Sequence, residues 1–119
     1  LALPVLSLVK ASSKSIGSDI AHAGVDEFAY DRTPLRAANS MMTMWLDVRY
    51  CLALVSCPIL VFRSTNDHVV PAASTAFVLS HVSSEDVTER VLERSYHVAT
   101  MDHDKEQIFT ESLEFFAAA

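Results

Sequence analysis

The run "CPILVFRS", Cys57 to Ser64, constrains the fold more than any other stretch of this chain. Ile59, Leu60, Val61 and Phe62 follow one another without a polar residue between them. A strand with one solvated face alternates apolar and polar; a near-continuous apolar run predicts a strand covered on both faces, as in a parallel sheet. Pro58 precedes the run and the polar loop "TNDHVVP" follows it. "VTERVLER", from Val87, reads as a second and more mixed strand. Parallel neighbours need a crossover, usually helical. The segment between them supplies one: Pro71 opens a helix through "AASTAFVLSHV", Pro being favoured where no backbone N–H is needed. After the loop "SYHVATMDH", "DKEQIFTESLEFF" predicts a final helix with Ile108, Phe109, Leu113, Phe115 and Phe116 on its apolar side. Asp104 and Gln107 have the spacing of a capping box at its start.

Upstream, "YDRTPLRAANSMMTMWLDVRYCLAL" predicts a long helix, with Thr33 as N-cap and Pro34 at the first helical position. Leu35, Ala38, Met42, Trp45 and Val48 share one face, which Met41 and Met44 widen. Such a face either packs into a core or forms an adaptable, Met-lined wall for an apolar ligand. Met42 and Trp45 are the candidate substrate contacts on it. "SSKSIGSD" reads as a loop. The opening "LALPVLSLV" is too short to span a bilayer and lacks the flanks of a signal peptide. The order helix, strand, loop, helix, strand, loop, helix predicts an α/β layer structure with parallel strands. Two strands alone make a poor sheet, so an incomplete domain is expected.

The net charge of −6, with nine scattered Lys and Arg, offers no basic stripe for nucleic acid and no polybasic patch for a membrane. Cys51 and Cys57 are too few for a disulfide scaffold or a cysteine zinc site. Both are expected to be buried small hydrophobes, which fits a reducing, cytoplasmic setting. Only Gly17 and Gly24 occur, so this chain holds neither a Gly-rich phosphate loop nor a glycine-flanked nucleophile. No cofactor is implied.

The chemistry-bearing residues gather in the two loops that follow the two strands. In open α/β sheets the ligand crevice lies beyond the carboxyl ends of the strands. Asp67 lies in the first loop and His97 in the second, thirty positions later. An Asp that orients a His, earlier in the chain than that His, is the ordering half of a Ser–His–Asp triad. A neutral His97 in that loop could take a proton from a hydroxyl and later return it to a leaving group. The plainer alternatives are a surface histidine at position 97 and an Asx-turn residue at Asp67. His68, beside Asp67 in sequence, should point elsewhere and pack or hydrogen-bond. His103, between Asp102 and Asp104, reads as a solvated residue at a helix start. His22 and His81 have no evident partner. A metal is not expected: His97 and His103 lack the i, i+4 spacing of two helical ligands. Asp102 and Asp104 have a use near a helix N-terminus, whose dipole favours anions.

"CPILVFRSTNDHVVP" followed by "ERSYHVATMDHDKEQIF" resembles the C-terminal part of the α/β-hydrolase fold, and within it bacterial carboxylesterases and the monoacylglycerol lipases close to them. "AYDRTPLRA" resembles a segment of the helical lid in the same group, and the resemblance runs over nearly the whole chain. It implies that residues 1–55 are lid and connecting helix, and that 56–119 are the end of the hydrolase core. It implies that Asp67 is the triad acid and His97 the triad base. The order expected for this fold is Ser, Asp, His, with the serine in G-x-S-x-G. No such motif is present, and "IGSDI" around Ser18 lacks the second glycine. The resemblance therefore implies a fragment whose serine lies upstream. The activity implied is hydrolysis of small esters with apolar acyl chains. A monoacylglycerol lipase is the alternative substrate reading, and a non-catalytic α/β module that binds an apolar ligand or partner is the alternative from another class. The oligomeric state is left open.

Overall fold

The computed structural model describes residues 10–118; the opening apolar stretch, 1–9, lies outside them. Two short strands come first, β1 (Ser12–Lys14) and β2 (Arg32–Pro34), paired antiparallel with Ser12 opposite Pro34. The sequence predicts a loop over β1. Three residues carry too little alternation to register as a strand, and the pairing partner is 20 positions away. Arg32 Nε donates to Ser12 Oγ at 2.7 Å across this ladder.

Helix α1 (Leu35–Cys51) begins directly after β2. Thr33 is therefore not its N-cap: it sits in β2 opposite Ser13, and Pro34 stands at the cap in extended conformation without a side-chain cap bond. The Leu35 N–H donates to the Ala11 carbonyl at 3.0 Å instead, so strand pairing meets one of the donors that a cap would have served. Only Leu35 of the apolar face is buried; Met42 and Trp45 remain 39% and 49% exposed, and Val48 is exposed too. Core packing of that face is not what the described residues show. A 3₁₀ turn, Leu52–Leu54, ends the helix. Cys51 and Cys57, on either side of that turn, are free and exposed rather than buried. Of the turn's residues Leu52 is buried, while Ala53 and Leu54 are exposed like the two cysteines on either side.

β3 (Ile59–Ser64) and β4 (Val87–Leu92) pair parallel, from Ile59 opposite Val87 to Ser64 opposite Leu92. The crossover is α2 (Ala72–His81). In this two-stranded sheet each strand has one neighbour, and β3 is half-buried instead of fully covered on both faces. Leu92 is fully buried at the carboxyl end. Arg63 pairs with Glu89 across the strands, and Arg90 of β4 with Glu111 of α3 (Lys105–Ala118). Exposed pairs of this kind contribute about 0–1 kcal/mol each and locate α3 more than they stabilise it. Phe109, Leu113 and Phe116 of α3 stay exposed. The parallel register has one consequence for chemistry. Ser64 and Leu92 end their strands side by side, so the loops carrying Asp67 and His97 leave the sheet at one edge.

Candidate active site

The first loop is shaped by Asp67 itself. Its Oδ1 accepts the backbone N–H groups of Val69 at 2.8 Å and Val70 at 2.7 Å, which closes an Asx turn. That leaves Oδ2, which lies 2.9 Å from His97 Nδ1. The turn and the histidine contact are thus one arrangement, not alternatives. Burial alone would raise the Asp67 carboxyl; the Val70 N–H, the His97 ring and the Val69 N–H outweigh it and hold the group below the ordinary aspartate range. An ionised Asp67 accepts only, so Nδ1 is the donor in this bond, and in the tautomer it selects Nε2 is the acceptor. His97 is 38% exposed and thus open to an incoming hydroxyl.

The second loop is built on two buried carboxylates, Asp102 and Asp104, where the sequence predicts acids serving a helix N-terminus. Asp102 is fully buried. Its Oδ2 accepts Ala21 N–H at 2.7 Å and Tyr96 N–H at 2.9 Å, and its Oδ1 accepts His22 N–H at 2.9 Å and His103 N–H at 2.8 Å. Burial works against its ionisation, and these four N–H groups more than offset it, so its pKa is lowered. Asp104 receives Arg94 N–H at 3.0 Å, Ser95 Oγ–H at 2.9 Å and Arg94 Nε–H at 2.8 Å. Its pKa is also lowered: burial raises it, and the Ser95 and Arg94 bonds outweigh that. The capping box does not form; Gln107 donates to Glu111 at 2.8 Å instead. Asp104 is turned back toward β4 because Ser95 and Arg94 offer three donors there. Ser95 is fully buried and its carbonyl accepts the Ser64 hydroxyl, which joins the starts of the two loops.

His68 does point away from His97's partner, but it has an acid of its own. Its Nδ1 lies 2.7 Å from Asp19 Oδ1, and its ring meets Tyr96 edge-on at 4.6 Å. Asp19, in the irregular segment before β2, was missed by the sequence reading. Its Oδ2 also accepts the backbone N–H groups of His68 at 3.2 Å and His97 at 3.1 Å. Burial raises its pKa, and the His68 ring with the two N–H groups more than compensates, leaving it lowered. These partners are 49 and 78 positions away, and no local pattern announces them. His103 is exposed and lies against His22, ring centroids 4.7 Å apart. His81 stacks on Phe77 at 3.9 Å. Ser18 is exposed and makes no hydrogen bond to His97 or Asp67 among the described residues. Nor, among those residues, does any group of three or more His, Cys, Asp or Glu have the arrangement of a metal site. Met42 and Trp45 stand on α1, outside this hydrogen-bonded cluster. Two concavities of about 380 and 320 Å³ lie against α3, the first beside β3 and β4 and the second beside β3, and neither is lined by Asp67 or His97.

Comparison with known proteins decides what kind of chain carries these loops. The serine aminopeptidase S33 family profile matches residues 10–104, most of the chain. The chain belongs to the serine aminopeptidase S33 family. It is 39% identical over 103 residues to the thermostable monoacylglycerol lipase of Bacillus sp. (strain H-257), covering 87% of this chain and 41% of that protein. It is 22% identical over 111 residues to a carboxylesterase of Bacillus subtilis (strain 168), covering 93% of this chain and 45% of the relative. A solved structure reported with LipS and LipT, two metagenome-derived lipolytic enzymes, superposes with a TM-score of 0.91 at 37% identity, over 99% of this chain and 49% of that one. The monoacylglycerol lipase of Paleococcus ferrophilus shares the fold at 17% identity, with a TM-score of 0.59 over 74% of this chain and 34% of its own. The S33 chain is therefore part of an α/β-hydrolase fold, and it spans about half the length of the relatives it matches. No helix among its described residues is long and apolar enough to cross a membrane.

Proposed function

We propose that the S33 protein containing this chain is a serine carboxylesterase acting on esters with apolar acyl chains, and that Asp67 and His97 are its acid and base. One observation carries the reading: Asp67 spends one oxygen on its own turn and the other on His97 Nδ1, at 2.9 Å. The serine belongs upstream of Leu1, in the position that G-x-S-x-G occupies in this fold. His97 Nε2 takes the serine proton as Oγ attacks the ester carbonyl carbon. The same proton goes to the alcohol as the carbon–oxygen bond breaks. Water, deprotonated by His97, then releases the acid and restores the serine. Asp67 stabilises the imidazolium at each step and is not itself protonated. The lid and its connecting helix are assigned to 1–55, of which 10–55 are described, and the end of the core to 56–119, described to 118. Exposed Met42 and Trp45 on α1 are the proposed acyl contacts. The free cysteines fit a reducing, cytoplasmic setting.

A monoacylglycerol is the second substrate reading, favoured by the higher identity to the Bacillus monoacylglycerol lipase than to the carboxylesterase. Rates of the full-length enzyme on 1-monolauroylglycerol and on methyl laurate separate the two. A fluorophosphonate probe tests the mechanism. It should label the full-length enzyme at one serine, and peptide mapping should place that serine ahead of Leu1. The 119-residue chain alone should take no label and hydrolyse no ester above background, since the base has neither hydroxyl nor oxyanion hole beside it. Turnover of p-nitrophenyl butyrate by the chain alone, lost in His97→Ala, would overturn the placement of the serine. A full-length protein that neither labels nor turns over esters would leave the non-catalytic module.

A further inference from the structure

Two of the longest-range contacts among the described residues converge on segment 19–22, which is neither helix nor strand. A segment of that kind has no ladder or helical bonds to hold it, so its tertiary bonds decide where it lies. Here they run in both directions. Asp19 reaches out: its Oδ2 accepts the backbone N–H of His68 from the acid loop and of His97 from the base loop. The base loop reaches back: Asp102 takes the N–H groups of Ala21 and His22, and the Val98 N–H donates to the Asp19 carbonyl at 3.1 Å. One carboxylate oxygen thus ties the residue after Asp67 to the main chain of the base itself.

The sheet cannot do this alone. Register is set up to Ser64 and Leu92, but Asp67 lies three residues beyond the first and His97 five beyond the second. Past the strands, the bond between the Ser64 hydroxyl and the Ser95 carbonyl joins the loops near their roots, and the Asp67–His97 bond joins them at their tips. A single side-chain bond at the tips fixes a distance and leaves the ring free to swing. A main-chain bridge at the neighbouring positions removes that freedom, because it fixes where both side chains start.

Resting on the reading of Asp67 and His97 as acid and base, we infer that Asp19 is a positioning residue for that pair. It touches neither ester nor transferred proton. It holds the acid and base loops in the mutual placement that proton transfer needs, and so the segment ahead of the proposed lid helix is part of the catalytic frame. Displacement of a reacting group by about 1 Å costs on the order of 100-fold in rate, which sets the scale expected for losing such a bridge.

The test uses the full-length enzyme and p-nitrophenyl butyrate, with Asp19→Ala, Asp19→Asn, Asp19→Ser, Asp26→Ala and His97→Ala compared by kcat, KM and folded fraction from circular dichroism. Asp19→Ala should lower kcat per folded molecule on the order of 10–100-fold with KM within about threefold. Asp19→Asn keeps one acceptor oxygen in the same shape and should recover part of the loss. Asp26→Ala should match the parent, since that carboxylate closes only its own turn at Phe28 N–H, 2.9 Å away. Should Asp19→Ala fail to fold, Asp19→Ser decides, its hydroxyl being one bond too short to take the place of the Oδ2 acceptor that bridges His68 and His97 N–H: reduced kcat at parental KM supports the inference, and parental kcat overturns it. If His97→Ala abolishes turnover while the Asp19 variants stay within about twofold of the parent per folded molecule, the inference alone is overturned. If His97→Ala turns over at the parental rate, the acid–base reading falls, and this inference with it.

Discussion

In the full-length enzyme, Asp67→Asn should lower kcat by roughly 10⁴-fold and leave KM within about threefold, the scale seen for the same exchange in another serine hydrolase. The shape of the side chain is kept and its chemistry is reversed. Asn has an NH₂ group where one carboxylate oxygen stood. Oδ1 accepts from Val69 and Val70 N–H, so the turn retains the amide oxygen there and aims the NH₂ at His97. Nδ1 then becomes the acceptor and Nε2 keeps the proton, which is the wrong tautomer for a base. The imidazolium formed during attack also loses its counter-charge. Steady-state kinetics on a p-nitrophenyl ester measures both effects. A loss confined to KM would mean that Asp67 binds substrate instead of orienting the base.

Asp102→Ala should cost about 3 kcal/mol or more of stability in the same protein, the largest structural effect expected from a single substitution in these loops. Four backbone N–H groups converge on that carboxylate, and Ala would strand all four in a site where the side chain has no exposure. With about 2–4 °C per kcal/mol for a chain of 150–250 residues, the melting temperature should fall by roughly 10 °C. The carboxylate also links stability to pH. An unfolded Asp has a pKa near 3.9, and the folded value lies below it. The unfolded state therefore binds the proton first as pH falls. The contribution of Asp102 is complete above about pH 4 and is lost as pH drops through the lower, folded-state value. Asp102→Asn, which carries no titrating group, should show a shallower loss of stability with acid over that window than the parent. Thermal melts at a series of pH values would show it. Parallel acid dependence in the two proteins would remove Asp102 from the account.

What was legible in the sequence and what was not divide by range. Ile59–Ser64 and Val87–Leu92 are found as strands because residue type and spacing signal them locally, although four of the six residues of β4 are exposed. Lys105–Ala118 is found as a helix for the same reason. Strand order then puts Asp67 and His97 on one edge before any coordinate is known, but their contact also draws on bonds beyond the strands, from Ser64 to Ser95 and through Asp19. The remainder of the cluster depends on contacts that no local period encodes. Asp102 reads as a helix-start acid by position, yet Ala21 and His22 N–H groups come to it from about 80 positions upstream. Asp104 has the right neighbour for a capping box and is drawn instead to Arg94 and Ser95. Asp19 sits in a stretch with no apolar period at all. Cys51 and Cys57 were misjudged from residue type: small thiols are commonly buried, but here they flank a surface turn. Thr33 fits an N-cap by composition, and strand pairing with Ser13 claims it first.

Among the described residues two histidine rings each meet an aspartate, His97 with Asp67 and His68 with Asp19. The central claim is that the first pair moves the proton. The most direct test is kcat for His97→Ala and His68→Ala, made side by side in the full-length enzyme on one ester. His97→Ala should lose roughly 10⁴-fold or more. His68→Ala keeps the main-chain N–H that Asp19 holds, loses only the ring, and should cost less than about tenfold, about 1.4 kcal/mol of barrier. An enzyme silenced by His68→Ala and spared by His97→Ala would contradict the assignment and transfer the role of base to the Asp19–His68 pair.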